Sequence, residues 1–215
     1  MNNLMVCVTF ACVFFFSNMG HCQEVNGFQS NCRSLSTLDR TKLERVNAAD
    51  ETEFFADPIV RDAYLVALNG NSTSVDQYIR SHTGDARVAA AVMLASIVKS
   101  NLPVMKEAYS PAAIAYFSKK NIWGPLTMSG SCDFGPGVTF LLTKGINPND
   151  GTDVGAFNAS LAYGNNEIAL NLLNHGYRIG QNYKRCLSSK DIAKRSSLNI
   201  SQTILQQIRI ATCKR

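Results

Sequence analysis

The run Leu141-Leu142-Thr143-Lys144-Gly145 returns as Leu172-Leu173-Asn174-His175-Gly176, and the step from Gly145 to Gly176 is 31 residues. Two leucines, two polar residues and a glycine spell a helix end, because glycine adopts without strain the positive φ at which many helices stop. A helix end recurring at this interval points to a repeating unit of two short helices. Such a unit cannot bury its apolar face alone, so several must stack to make a core.

The rest of the chain reads as short helices in pairs. Asp57-Pro58 opens one segment, with Asp57 placed to cap and Pro58 at the first helical position. It runs from Val60 to Leu68 and stops at Asn69-Gly70-Asn71. Val75 to Ile79 forms the next and ends near Gly84. Arg87 to Lys99 is alanine-rich and apolar on most sides, which predicts burial between neighbours. Asn101-Leu102-Pro103 is expected to break it, before segments at Val104 to Tyr109 and Ala112 to Phe117. Residues 121–137 hold Gly124, Pro125, Gly130, Gly135, Pro136 and Gly137 and are expected to be the least regular stretch. Val138 to Thr143, Gly155 to Tyr163, Asn166 to Asn174, Ser189 to Ser196 and Ser201 to Ile208 resume the pairing. Residues 23–36 are polar and read as an extended lead-in, with a helical stripe from about Thr37. Few segments alternate with period two, so the expected class is all-α with little sheet.

Residues 1–22 differ from the remainder. Val6 to Phe16 is almost purely apolar, too short for a spanning helix and of the length of a secretory h-region. A signal peptide over 1–22 is expected, leaving 23–215 as one domain. The alternative is a lipoprotein anchored at Cys22, although His21 stands where a lipobox needs a small residue. No later segment is long and apolar enough to span a membrane, so no stable insertion is expected after cleavage. Four cysteines would remain, Cys32, Cys132, Cys186 and Cys213, and an even count in an oxidising compartment suggests two disulfides with three possible pairings. No CxxC occurs and histidine is scarce, so no metal is expected.

Hydrophobic residues at 46% and charged residues at 17% mark a folded chain rather than a disordered one. The net charge of +5 is spread out, with small clusters at Lys184-Arg185, Lys194-Arg195 and Lys214-Arg215. No block of like charge resembles a nucleic-acid arm, and the balance reads either as a solvated surface of modest basic character or as a preference for an acidic partner.

Residues 141–176 resemble an ankyrin repeat. Phe157 and Asn158 take the leucine and histidine places of the first helix, and Ser160 and Leu161 replace its small pair. Gly164-Asn165 makes the turn, Glu167-Ile168 opens the second helix, and Leu172-Leu173-Asn174-His175-Gly176 closes it. Leu170, Leu172 and Leu173 would fill the seam to the next repeat. Ser188-Ser-Lys-Asp-Ile-Ala-Lys-Arg looks like another first helix, with Ile200 to Ile208 as its second. Ala63 to Ile79, 87–117 and 121–145 would be degenerate copies. The resemblance implies an ankyrin-like helical solenoid of about four to five degenerate repeats. It also implies that Cys186 and Cys213 close the last repeat, leaving Cys32 to Cys132.

No GxSxG, HExxH, P-loop or GxGxxG occurs. His82 and His175 fall at helix ends, where polar residues are ordinary, and Asp57, Asp62 and Asp76 have no paired spacing. An enzyme is not expected, and no catalytic residue or cofactor is assigned. Ser129 to Gly137 reads either as a ligand loop or as an insertion pinned by Cys132. Trp123 reads as packed, or as an interface anchor if it meets Phe134 at the surface. Asn71, Asn158 and Asn199 match the glycosylation acceptor pattern and are read as chance.

Ankyrin-like arrays bind proteins through their first helices and polar fingers. The resemblance therefore implies partner-binding residues Asn149, Asp150, Thr152 and Asp153 on one finger and Tyr163 on the helix surface. Tyr177, Arg178, Asn182, Tyr183 and Lys184 would lie on the next finger. A small exported protein of this type resembles periplasmic immunity proteins that neutralise secreted antibacterial toxins, including type VI effectors such as phospholipases. A periplasmic scaffold or chaperone-like adaptor is the neighbouring reading, and an exported enzyme or effector the third.

Overall fold

A computed structural model of the chain describes residues 32–43, 54–120, 122–179 and 200–213. They form two compact units, one up to Tyr177 and one from Arg178 onward. The expected signal segment lies outside the described residues, as do Asn182, Tyr183, Lys184, Cys186 and Ser188 to Arg195. Among the described residues the secondary structure is eleven α-helices and one 3-10 turn, with no strand, so the fold is all-α.

The first unit carries ten of these helices: α1 (Cys32–Ser36), α2 (Pro58–Asn69), α3 (Ser72–Ser81), α4 (Ala86–Val98), α5 (Leu102–Ala108), α6 (Pro111–Lys119), α7 (Pro125–Ser131), α8 (Gly135–Thr143), α9 (Ala156–Ala162) and α10 (Asn166–Asn174). A 3-10 turn, Gly151–Asp153, precedes α9. The described part of the second unit holds α11 (Gln202–Cys213), in which Ile204, Leu205 and Ile208 are buried.

Most helix starts follow from local chemistry. Asp57, Asn71, Asp85, Asn101 and Ser110 each cap a helix by accepting from a first-turn backbone N–H. Pro58, Pro103, Pro111, Pro125 and Pro136 all sit in first turns, where a missing N–H costs nothing. Asn101-Leu102-Pro103 therefore both ends α4 and starts α5. Arg87 ties two of the caps together, donating from Nη1 to Asp57 at 3.0 Å and from Nη2 to Asp85 at 2.7 Å.

The helices pack as hairpins in series. α2 pairs with α3, α4 with α5, α7 with α8, and α9 with α10. The first members touch in the order α2, α4, α7, α9, and the second members in the order α3, α5, α8, α10. α6 is an extra helix that packs on α4 and on the 3-10 turn. α4 is central: Val88 and every residue from Ala90 to Ile97 are buried, as its all-round apolar pattern predicts.

Three hairpins share one turn. Asn101 N–H donates to the Ser96 carbonyl at 2.8 Å, Phe134 N–H to Ser129 at 3.0 Å, and Asn165 N–H to Ser160 at 2.7 Å. The residue before each donor has positive φ: Ser100 at +52°, Asp133 at +54° and Gly164 at +79°. This is the six-to-one closure that ends many helices. Ser96, Ser129 and Ser160 are all buried, and they stand 33 and 31 residues apart. The second helices close alike, with Ile146 N–H on Leu141 at 3.2 Å and Tyr177 N–H on Leu172 at 3.0 Å.

Three expectations need correction. Residues 32–36 are helical rather than extended, because Leu35 is buried and its carbonyl accepts from the buried Tyr64 hydroxyl at 2.9 Å. Residues 125–131 are helical rather than irregular, and the helix expected from Val138 to Thr143 starts earlier, at Gly135, because the prolines lie at starts and the glycines admit neighbours. A Cβ on Gly130 would stand 2.7 Å from Ser160 Oγ, and one on Gly137 would come closer still to the Phe134 ring. In α10 the buried set is Ile168, Ala169 and Leu172, whereas Leu170 and Leu173 are half-buried.

Cys32 and Cys132 form a disulfide, with Cα atoms 5.2 Å apart, joining α1 to the turn between α7 and α8. Cys186, the expected partner of Cys213, lies outside the described residues.

Candidate partner-binding surface

The connection from α8 to α9 is built by its own polar residues. Asn147 Oδ1 accepts from the Asn149 backbone N–H at 3.0 Å, and Asn147 Nδ2 donates to Asp150. Such Asx turns let a short loop satisfy its backbone without a sheet. Asn149 Nδ2 then donates to the Gly176 carbonyl at 3.0 Å, tying this finger to the end of the following helix pair.

The far side of the finger docks on α7. The Thr152 carbonyl accepts from Gly124 N–H and from Thr127 Oγ1, both at 3.0 Å. Asp153 Oδ1 accepts from Leu126 N–H at 2.8 Å and Thr127 N–H at 3.1 Å. Burial pushes the Asp153 carboxyl up to about 6, against the opposing pull of these two N–H groups. Gly124 is backed directly onto that carboxylate, which leaves no room for a side chain.

The expected binding residues thus separate. Asp150 is exposed, and Asn149 and Thr152 are half-buried. Tyr163, at the C-terminal end of α9, is 46% exposed. Asp153 is only 5% exposed and serves to anchor the finger rather than to meet a partner. Tyr177, also 5% exposed, stacks on Phe157 with centroids 4.7 Å apart and fills the core. Arg178 is exposed and belongs to the second unit. The finger and Tyr163 flank opposite ends of α9, about 10 Å apart at 1.5 Å per residue. Val154, 38% exposed beside the finger, is an addition the sequence did not suggest.

Other candidates resolve into structure. His82 Nδ1 lies 3.0 Å from the Tyr78 carbonyl and His175 Nδ1 lies 2.9 Å from the Asn171 carbonyl, so each ring sits on its own helix end. Ser129 to Gly137 runs through the end of α7, a turn and the start of α8, and so is not a ligand loop. Phe134 is buried and Trp123 half-buried, so they make no surface pair. Asn71 is exposed at the cap of α3, and Asn158 is half-buried within α9. Among the described residues, no group of three or more His, Cys, Asp or Glu side chains is arranged to hold a metal, and no helix is long and apolar enough to cross a membrane.

A second cluster escaped the sequence reading. Tyr109, just after α5, meets Phe140 of α8 edge to face, with centroids 5.4 Å apart. Lys106 Nζ stands 5.9 Å from the Phe140 centroid, and Lys144 Nζ stands 5.6 Å from it and 5.8 Å from that of Tyr109. The only trace in sequence is local, Lys106 three before Tyr109 and Lys144 four after Phe140, and it says nothing of the two meeting.

No protein-family model, no curated protein and no solved structure matches this chain.

Proposed function

We propose that the chain is an exported ankyrin-like repeat protein that binds and neutralises a secreted antibacterial toxin in the periplasm. The toxin class is a type VI effector, with phospholipases among the candidates. The observation that carries this reading is the recurrence of one helix-pair turn at Ser100-Asn101, Asp133-Phe134 and Gly164-Asn165, at steps of 33 and 31 residues. That step matches the ankyrin period of about 33. The finger at 147–153 stands where this repeat type presents polar residues, and it is fastened at both ends by side-chain hydrogen bonds. A face held this firmly loses little entropy on binding.

Export is supported by the Cys32–Cys132 disulfide, because such bonds persist in oxidising compartments. It agrees with the apolar run at 6–16. The test is capture of the full-length protein from the periplasm of cells attacked by sister cells with intact secretion systems. A stoichiometric effector in the captured material supports the reading; repeated capture without any effector contradicts it.

A further inference from the structure

We propose that Lys106, Tyr109, Phe140 and Lys144 form a second docking surface, on the α5–α8 side of the stack, for an acidic segment of a partner protein. This rests on the reading of the chain as a protein binder. It adds a surface centred on α5 and α8, whose Lys144 stands three residues before Asn147 of the finger.

The two ammonium groups share one ring, that of Phe140, although like charges repel. Among the described residues the ion pairs are Arg40–Asp62, Lys42–Asp39, Arg87–Asp57 and Arg87–Asp85, so neither lysine is neutralised by a carboxylate. Glu107 follows Lys106 in sequence, but it interacts with Asp76 and Arg80 of α3 instead. α8 itself carries no acidic residue. The cation–π contacts lie near the outer limit of their range and bias each exposed ammonium toward the rings. Both lysines are exposed, whereas Tyr109 and Phe140 are half-buried. The result is a small apolar floor flanked by two positive charges.

A carboxylate-bearing segment fits this arrangement. Its acidic side chains would meet Lys106 and Lys144 while its aliphatic carbons cover the ring edges. A membrane surface fits less well, because the rings pack edge to face and neither projects as a wedge for lipid.

The experiment uses the full-length protein and a fluorescein-labelled oligoglutamate peptide, followed by anisotropy at low salt. A parallel arm uses phosphatidylglycerol vesicles. Lys106→Gln with Lys144→Gln removes the proposed pair of charges. Lys99→Gln with Lys119→Gln removes two exposed lysines elsewhere and alters net charge equally. The expected result is a loss of peptide affinity of roughly fivefold or more in the first double variant and little change in the second. Equal losses in both, or no peptide binding to the parent protein, overturn the proposal. Vesicle binding that depends on Lys106 and Lys144, without peptide binding, also overturns it in favour of lipid. Selective peptide binding in a protein that captures no toxin would leave this surface standing and remove the immunity reading alone.

Discussion

Asp153 and Gly124 are packed so tightly that a Cβ on Gly124 would fall 2.3 Å from Asp153 Oδ1. The carboxylate cannot swing aside, because the Leu126 and Thr127 N–H groups hold it. Gly124→Ala is therefore expected to destabilise the protein by about 1–3 kcal/mol, the usual range for overpacking a filled site. Urea denaturation measures this directly. A change below about 0.5 kcal/mol would mean that Asp153 can leave its site freely.

The same carboxylate sets a pH dependence. Its folded value is about 6, whereas an unfolded aspartate titrates near 4. Between these values the folded protein keeps a proton that the unfolded chain has released. The group's contribution is therefore complete below about pH 4 and declines as pH rises through 6, by on the order of 3 kcal/mol. Asp153→Asn keeps an oxygen acceptor for both N–H groups and cannot ionise. Its stability between pH 4 and 7 is expected to be flatter than that of the parent, as thermal melts across that range would reveal.

The three buried serines of the shared turn are not equivalent. Ser96 Oγ donates to Met93 at 2.7 Å and Ser160 Oγ to Ala156 at 2.8 Å, whereas the buried Ser129 hydroxyl has no partner among the described residues. Ser129→Ala is expected to leave stability unchanged or raise it by up to about 1 kcal/mol. Gly130→Ala, one residue on, is expected to lower it by about 1–3 kcal/mol, because the new methyl would also meet the Ala156 carbonyl at 3.0 Å. Parallel denaturation of the two variants checks the contrast, and a loss in Ser129→Ala would show that its hydroxyl is satisfied after all.

The regular parts of this fold were legible in the sequence. Asn166 to Asn174 is a helix end to end, and Asp57-Pro58 caps and opens α2 as expected. What was hidden depends on contacts between distant residues. α7 looked like loop because Gly130 makes sense only beside Ser160. The shared turn was visible at Gly164 but masked where Ser100 and Asp133 take the same left-handed conformation. Asp153 and Tyr177 looked like surface residues because their stretches are polar, and burial by α7 and by Phe157 carries no local signature. The Lys106–Lys144 cluster likewise exists only because α5 and α8 touch.

The Cys32–Cys132 bridge spans 100 residues of sequence. Closing a loop of that length restricts the unfolded chain by an amount worth roughly 3–5 kcal/mol. Replacing both cysteines with serine is expected to lower the urea midpoint accordingly. If the double variant is as stable as the parent, the bridge does not form in the native protein.

Tyr163 is an exposed aromatic at the end of α9 away from the finger, and aromatic side chains dominate binding energy when they are buried by a partner. Tyr163→Ala is expected to weaken toxin binding about tenfold or more while leaving the unfolding free energy within about 0.5 kcal/mol of the parent's. A full loss of folding in this variant would instead make Tyr163 a structural residue.

The most direct measurement of the central claim is survival of a strain lacking this chain when it is mixed with sister cells carrying intact secretion systems. The account expects the deletion strain to be killed, to be rescued by the parent chain in the periplasm, and to be rescued poorly by Tyr163→Ala. A deletion strain that survives as well as its parent would contradict it.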